Sequence, residues 1–252
     1  MIGDVVSQAG CEFLRSRLPD LKKEKKINVV IANGENSAVG NGILPKSAEF
    51  LFQSGVDVIT GGNHSFKRRE IYPCLEENEA ILRPANFPDG CPGKGYYLYD
   101  GGAFTLLIIN LQGTSFLEPI ENPFTAADRI LKEQNANYTI IDFHAEATGE
   151  KKALGYYLDG RVSAVCGTHT HVQTSDGHVL PNGTGYITDI GMTGPWESAL
   201  GVRPECVISR LRTGLPTRFE IEETAACRMG AVLLTLEKDT GLCSSVETLL
   251  IE

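Results

Sequence analysis

The sequence predicts an α/β fold. Apolar runs that suit buried strands alternate with amphipathic stretches of helical period, and most of these runs end in a short polar loop. That alternation is the pattern of a mainly parallel sheet with helices packed on its faces. At 252 residues and a hydrophobic fraction of 42%, the chain can bury a substantial core. It shows no internal repeat, low-complexity tract or linker, and is read as one domain over residues 1–252.

Taken in order, Met1 to Val6 reads as the tail of a strand entering a loop, a stub that predicts a loosely held Asp4. Cys11 to Lys26 carries Phe13, Leu14, Leu18 and Leu21 at helical spacing despite Pro19. Asn28 to Ala32 is a buried-type strand ending at Asn33-Gly34-Glu35-Asn36, and Lys46 to Ser54 is a helix closed by Gly55. Val56 to Thr60 is the next strand, ending at Gly61-Gly62-Asn63-His64. A helix over Lys67 to Asn78 is disturbed by Pro73. Residues 83–95 form a Pro/Gly-rich loop, and Tyr96 to Tyr99 with Phe104 to Leu111 form an antiparallel pair.

Further on, a helix over 125–135 precedes the strand Tyr138 to Phe143, which ends at His144-Ala145-Glu146. A helix over about 147–158 leads to Val162 to Val165 and then to Thr168-His169-Thr170-His171. Gly185 to Ile190, Arg218 to Glu222 and Met229 to Leu236 read as strands of a second sheet.

Composition narrows the function. With 32 acidic and 23 basic residues the net charge is -9, and Lys22 to Lys26 is a solvated helix end; RNA is a partner that the charge does not support. The seven cysteines are scattered, with no C-x-x-C, which predicts reduced thiols in a cytoplasmic protein. No apolar run approaches the ~18 residues that cross a bilayer.

The polar loops carry the chemistry. In α/β sheets ligands gather outside the carboxyl ends of strands, so loops distant in sequence converge. Four of the five histidines, His64, His144, His169 and His171, sit in such loops with Asp4, Glu35, Asn36 and Asn63; His178 reads as a surface residue. Carboxylate, amide and imidazole donors without sulfur suit iron, manganese or zinc better than calcium. Two such ions ~3.5–4 Å apart hold a phosphoryl group and generate hydroxide at neutral pH.

Asp4-Val5-Val6, Asn33-Gly34-Glu35-Asn36, Gly62-Asn63-His64, Arg83-Pro84-Ala85-Asn86-Phe87-Pro88, Asp142-Phe143-His144-Ala145-Glu146, Gly167 to Thr174 and Thr188 to Pro195 together resemble the YmdB family of bacterial metallophosphoesterases, within the calcineurin-like superfamily. The resemblance runs in order from residue 2 to nearly the C-terminus. It implies a four-layer α-β-β-α sandwich of two packed β-sheets with outer helices. It also implies two metal ions, with iron the ion associated with the family and manganese or zinc the alternatives. By its pattern Asp4, Asn36 and His171 hold one ion, Asn63, His144 and His169 the other, and Glu35 bridges. His64 resembles the proton donor, and the activity implied is hydrolysis of phosphodiesters, notably 2',3'-cyclic nucleotides, by attack of a metal-bridging hydroxide. The segment Ser7-Gln8-Ala9-Gly10 departs from the family's glycine-led loop. Asp142 and Glu146 are candidates for orienting imidazoles, and Arg83 and Lys94 for meeting phosphate, whereas Trp196 is read as packing. A phosphomonoesterase or nucleotidase would use the same ligands, a low-turnover nucleotide-binding regulator is the non-enzymatic alternative, and a homo-oligomer is compatible with either.

Overall fold

A computed structural model describes residues 1–252. Its mixed α/β architecture has two main sheets. The first combines β1 (Asp4–Val5), β10 (Met192–Pro195), β11 (Cys227–Leu236) and β12 (Cys243–Ile251) in that order. Beside it lies the parallel pair β2 (Ile31–Asn33) and β3 (Val58–Thr60). The second has the order β4 (Tyr96–Asp100), β5 (Thr105–Gln112), β6 (Tyr138–His144), β7 (Ala164–Thr168), β9 (Gly185–Ile187), β8 (His178–Val179). Its central strands β5, β6, β7 and β9 run parallel, so their carboxyl ends lie along one edge.

The short first strand is firmly held, against the expectation for Asp4. Ile2 bridges to Ala32 on one side and Ala231 on the other, joining the β2–β3 pair to β11. Gly3 N donates to Gly230 O at 3.0 Å and Asp4 N to Gly191 O at 3.1 Å. Asp4 is completely buried. A two-residue strand suffices because it has neighbours on both sides. Ser7, the departure from the glycine-led loop, adopts φ +62°, the left-handed region that glycine enters without steric cost.

Helices α1 (Ser7–Lys25), α2 (Pro45–Gln53) and α3 (Tyr72–Glu77) bury Leu14, Leu18, Leu51 and Leu75 against Val5, Ala32, Ile59, Met229 and Ala231 of the first sheet and its neighbouring pair. Helices α4 (Pro123–Glu133) and α5 (Thr148–Tyr157) bury Ala126, Ala127, Ile130 and Leu154 against Leu107, Ile109, Ile141, Phe143 and Val165. A third cluster draws Ile31, Val58 and Val232 together with Ile108, Ile140, Ala164, Cys166 and Ile187. Alternate residues of β5 thus serve two cores, Leu107 and Ile109 on one face and Ile108 on the other. Pro73 falls in the first turn of α3, after a 3₁₀ turn at Arg69–Ile71, where a missing N–H costs nothing.

Two strand expectations are corrected. Gly185–Ile187 belongs to the same sheet as β7, not to a second one, and ends early because the Thr174 hydroxyl and the Asp176 carboxylate take the amides of Asp189 and Thr188. Arg218 to Glu222 forms no strand: its alternation is real, but only the single bridge Val202–Ile221 offers a partner. Before it comes a helix absent from the sequence reading, α6 (Pro204–Thr213), opened by Pro204 and closed by Gly214 at φ +69°. Cys243–Ile251, likewise absent there, pairs antiparallel with β11. All seven thiols are free, and no helix is long and apolar enough to cross a membrane.

Candidate metal centre

Five strand ends converge on one cluster. β1 delivers Asp4, the loop after β2 Glu35 and Asn36, the loop after β3 Asn63 and His64, β6 His144, and the loop after β7 His169 and His171. Register brings the second-sheet members together, since His144 lies beside Thr168 on β7. An oxygen of Asp4, an oxygen of Glu35 and a ring nitrogen of His144 lie within 4.8 Å of one another, all on buried residues.

Around His144 the spacing is that of cation ligands. Its Nε2 stands 2.9 Å from Asn63 Oδ1, 3.1 Å from His169 Nδ1 and 3.4 Å from Glu35 Oε2. Donors bound ~2.0–2.2 Å from one tetrahedral cation sit ~3.3–3.6 Å apart, so the Glu35 distance fits and the two closer donors would open by a few tenths of an ångström. On the other side Asp4 Oδ1 is buried with no hydrogen-bond partner, 3.7 Å from His171 Nε2. An orphaned carboxylate oxygen in a buried site fits the role of a cation ligand. Asn36 is turned so that Nδ2 meets Glu35 Oε1 at 2.9 Å and His171 Nε2 at 3.2 Å, while Oδ1 faces His64 Nδ1 at 3.1 Å. Its oxygen would face Asp4 and His171 only with the amide turned over.

Glu35 lies between the two groups. Oε2 accepts from His64 N at 2.8 Å and approaches His144, and Oε1 meets the Asn36 amide and His64 Nδ1, the latter at 2.9 Å. Gly62 makes this approach feasible, because a Cβ there would lie 2.4 Å from both Glu35 Oε2 and His144 Nε2.

Buried polar groups behind the cluster set the imidazole tautomers. His144 Nδ1 meets Thr168 Oγ1 at 2.9 Å, and that hydroxyl donates to Asp142 Oδ1 at 2.7 Å. Thr168 therefore accepts from Nδ1–H and Nε2 faces the cluster. Asp142 also accepts from Asn33 Nδ2 at 3.1 Å and from the Thr60 hydroxyl. Glu146 Oε2 lies 3.0 Å from His169 Nε2, leaving Nδ1 for the cluster. Of this supporting layer the sequence singles out Asp142 and Glu146 but not Asn33, Thr60 or Thr168, whose only signal is a place in a strand end.

Electrostatics agree with a cation site. Burial drives the His169 ring, aided by neighbouring His144, down to about 4, so it is neutral at pH 7. Burial also opposes protonation of His144, but Glu35, Asp4 and Asp142 outweigh it and raise the ring to about 9. In the metal-free protein a proton thus holds the place of a cation among carboxylates, and binding must displace it. Apparent Mn²⁺ affinity is expected to rise with pH, by up to tenfold per unit, and to level off near pH 9, as calorimetric titration from pH 6 to 9.5 checks. Because the folded value lies above the ordinary 6.5, the metal-free protein gains stability from this proton below pH 6.5 and loses it as pH rises through about 9.

Other candidates lie apart. Arg83 donates to Pro84 O at 2.9 Å, Lys94 pairs with Glu79, and neither bonds to a residue of the cluster. Trp196 carries the Arg228 guanidinium 4.3 Å from its ring centre, and His178 is exposed.

The fold is shared with a candidate 5'-nucleotidase from Staphylococcus aureus: TM-score 0.59 at 16% identity, over 94% of this chain and 48% of that one, a likeness of fold alone. Family membership is more specific. This chain belongs to the family described as YmdB-like protein, which matches residues 1–249. It is 46% identical, over 99% of its length and 95% of the relative's, to the 2',3'-cyclic-nucleotide 2'-phosphodiesterase of Bacillus subtilis (strain 168). A solved structure of a novel phosphatase from Mycoplasma pneumoniae superposes with TM-score 0.94 at 32% identity, covering 99% of this chain and 91% of that one.

Proposed function

We propose that this chain is a metal-dependent phosphodiesterase that hydrolyses 2',3'-cyclic nucleotides. The observation that carries the reading is the pair of donor groups meeting at Glu35, in a chain 46% identical to a relative named for that activity. Asp4, Asn36 and His171 would hold one ion, Asn63, His144 and His169 the other, with Glu35 between them. Iron is the first assignment and manganese or zinc the alternatives, since the donors are oxygen and nitrogen. Bound there, the ions would neutralise phosphoryl oxygens and acidify water into a nucleophile at neutral pH.

The chain's own residues complete the reaction. His64 Nδ1 is anchored by Glu35 and Asn36, and its ring is 26% exposed at the rim of the cluster. Its free Nε2 is suited to protonate the departing alkoxide, a role worth ~10²–10⁴ in rate. The same reading takes the fold as a four-layer α-β-β-α sandwich forming one domain over 1–252. Its support is the pair of helix-to-sheet cores and the third core, which mixes residues of β2, β3 and β11 with those of β5, β6, β7 and β9. A cytoplasmic location is supported by seven unpaired thiols. A phosphomonoesterase is the second reading, favoured by the name of the M. pneumoniae relative.

Elemental analysis of anaerobically purified protein is expected to find about two ions per chain, reduced in His169→Ala. Turnover of 2',3'-cyclic AMP well above that of 5'-AMP supports the diesterase, and the reverse supports the monoesterase. His64→Ala is expected to keep its metals while kcat falls ~10²–10⁴-fold; full activity in that variant removes the acid role.

A further inference from the structure

His169 and His171 both have positive φ, +102° and +65°, although neither is glycine. Such conformations are strained for residues that carry a Cβ and persist only where surrounding structure imposes them. Thr170 between them is fixed twice to one atom: its N–H donates to Asp189 Oδ2 at 3.0 Å and its hydroxyl at 2.8 Å. The same oxygen receives Lys151 Nζ at 2.7 Å. Asp189 is completely buried and Lys151 is 1% exposed. Asp189 Oδ1 accepts from Gly191 N at 2.8 Å, and its own N–H donates to the Thr174 hydroxyl at 2.9 Å, so the carboxylate cannot swing.

Lys151 belongs to α5, the helix that follows the His144 strand, and Asp189 follows β9. Gly167 lets the Thr188 carbonyl come within 1.8 Å of where a Cβ at 167 would stand, with the lysine Cδ next to it at 3.1 Å, so β7, the β9 end and the Lys151 stem pack closely here. We infer that Lys151 and Asp189 are positioning residues, an ion pair that clamps Thr170 and so holds His169 and His171 in the strained backbone that points both rings at the metal centre. A buried ion pair adds little net stability over an apolar pair of equal size. What this one fixes is direction, tying the segments after β6, β7 and β9 together at the loop that must aim two imidazoles.

This rests on the proposed metal site, and the test separates the two. Thr170→Val keeps shape and amide but loses the hydroxyl bond; Lys151→Met combined with Asp189→Asn removes both charges at nearly constant volume. For the metal-free proteins, hydrogen exchange of the residue 170 amide is measured, and Mn²⁺ is titrated calorimetrically. Both variants are expected to exchange that amide at least tenfold faster and to bind Mn²⁺ at least tenfold more weakly, with melting temperatures near that of the parent. Folded variants with parental Mn²⁺ affinity overturn the inference. Should the double variant fail to fold, Thr170→Val decides alone. Should the parent bind no Mn²⁺, the metal reading fails, and the clamp stands only if amide exchange is slow in the parent and fast in the variants.

Discussion

A single methyl group at position 62 is expected to remove one of the two cations proposed for this site. In Gly62→Ala the new Cβ would lie 2.4 Å from Glu35 Oε2 and from both Nε2 and Cδ2 of His144, closer than any real contact. Neither neighbour is free to yield. The His144 ring is fully buried and pinned through Nδ1 by Thr168, and Glu35 is held by the His64 amide and by Asn36. Overpacking of this sort costs ~1–3 kcal/mol, a fall of roughly 2–12 °C in melting temperature for a chain of this size. Function is expected to suffer more than stability, because the displaced atoms are two of the donors proposed for one ion. Metal analysis with calorimetry should show a folded protein with about one ion per chain and severely reduced turnover. Two ions bound with parental affinity would mean that Glu35 and His144 are not shared ligands.

The second large effect has opposite signs with and without metal. Asp4 Oδ2 accepts one hydrogen bond, from His169 N at 3.1 Å, and Oδ1 accepts none. Burial raises its pKa above the ordinary carboxylate value, with His171 and His144 pulling the other way. A carboxyl shifted upward stabilises the fold while protonated, below the ordinary range, and loses that contribution as pH rises through the folded value. Burial thus opposes ionisation of Asp4 in the metal-free protein, and Asp4→Asn, which stays neutral without a proton, is expected to raise its melting temperature by a few degrees at pH values where the parent carboxyl is ionised. The same substitution removes an anionic ligand. In the parent, Mn²⁺ at a hundred times its Kd contributes ~2.7 kcal/mol, and most of that should vanish in the variant. Thermal melts of both proteins, with chelator and with Mn²⁺, give the four numbers required. An Asp4→Asn protein destabilised without metal yet still stabilised by Mn²⁺ would refute both halves.

Much of this site was legible in the sequence because catalytic donors cluster where strands end. Glycine-bounded Glu35, Asn36, Asn63 and His64, and the histidines after two apolar runs, stand out locally. What stayed hidden depends on register. Thr168 supports His144 only because β6 and β7 align those two residues, and Asn33 meets Asp142 across 109 positions of sequence. The Lys151–Asp189 pair was equally hidden, since a lysine on an amphipathic helix ordinarily reads as solvated. Arg218 to Glu222 failed for the reverse reason: a strand pattern is local, whereas a strand needs a neighbour with free backbone groups. Proline and glycine marked α6 on either side, and those signals outweigh the alternation that follows.

The pairing of Asp4 with Met192 also sets a timetable for biosynthesis. The first of the proposed ligands that the ribosome makes waits for a partner strand that ends at Pro195. At ~5–20 residues per second that interval is on the order of 10–40 s. For most of it the nascent chain holds Glu35 and His64 without the strand that would seat Asp4 beside them. Any cation caught earlier meets an incomplete set of donors, so loading belongs to the nearly finished protein, and a fragment stopping short of Met192 would be silent as well as unstable.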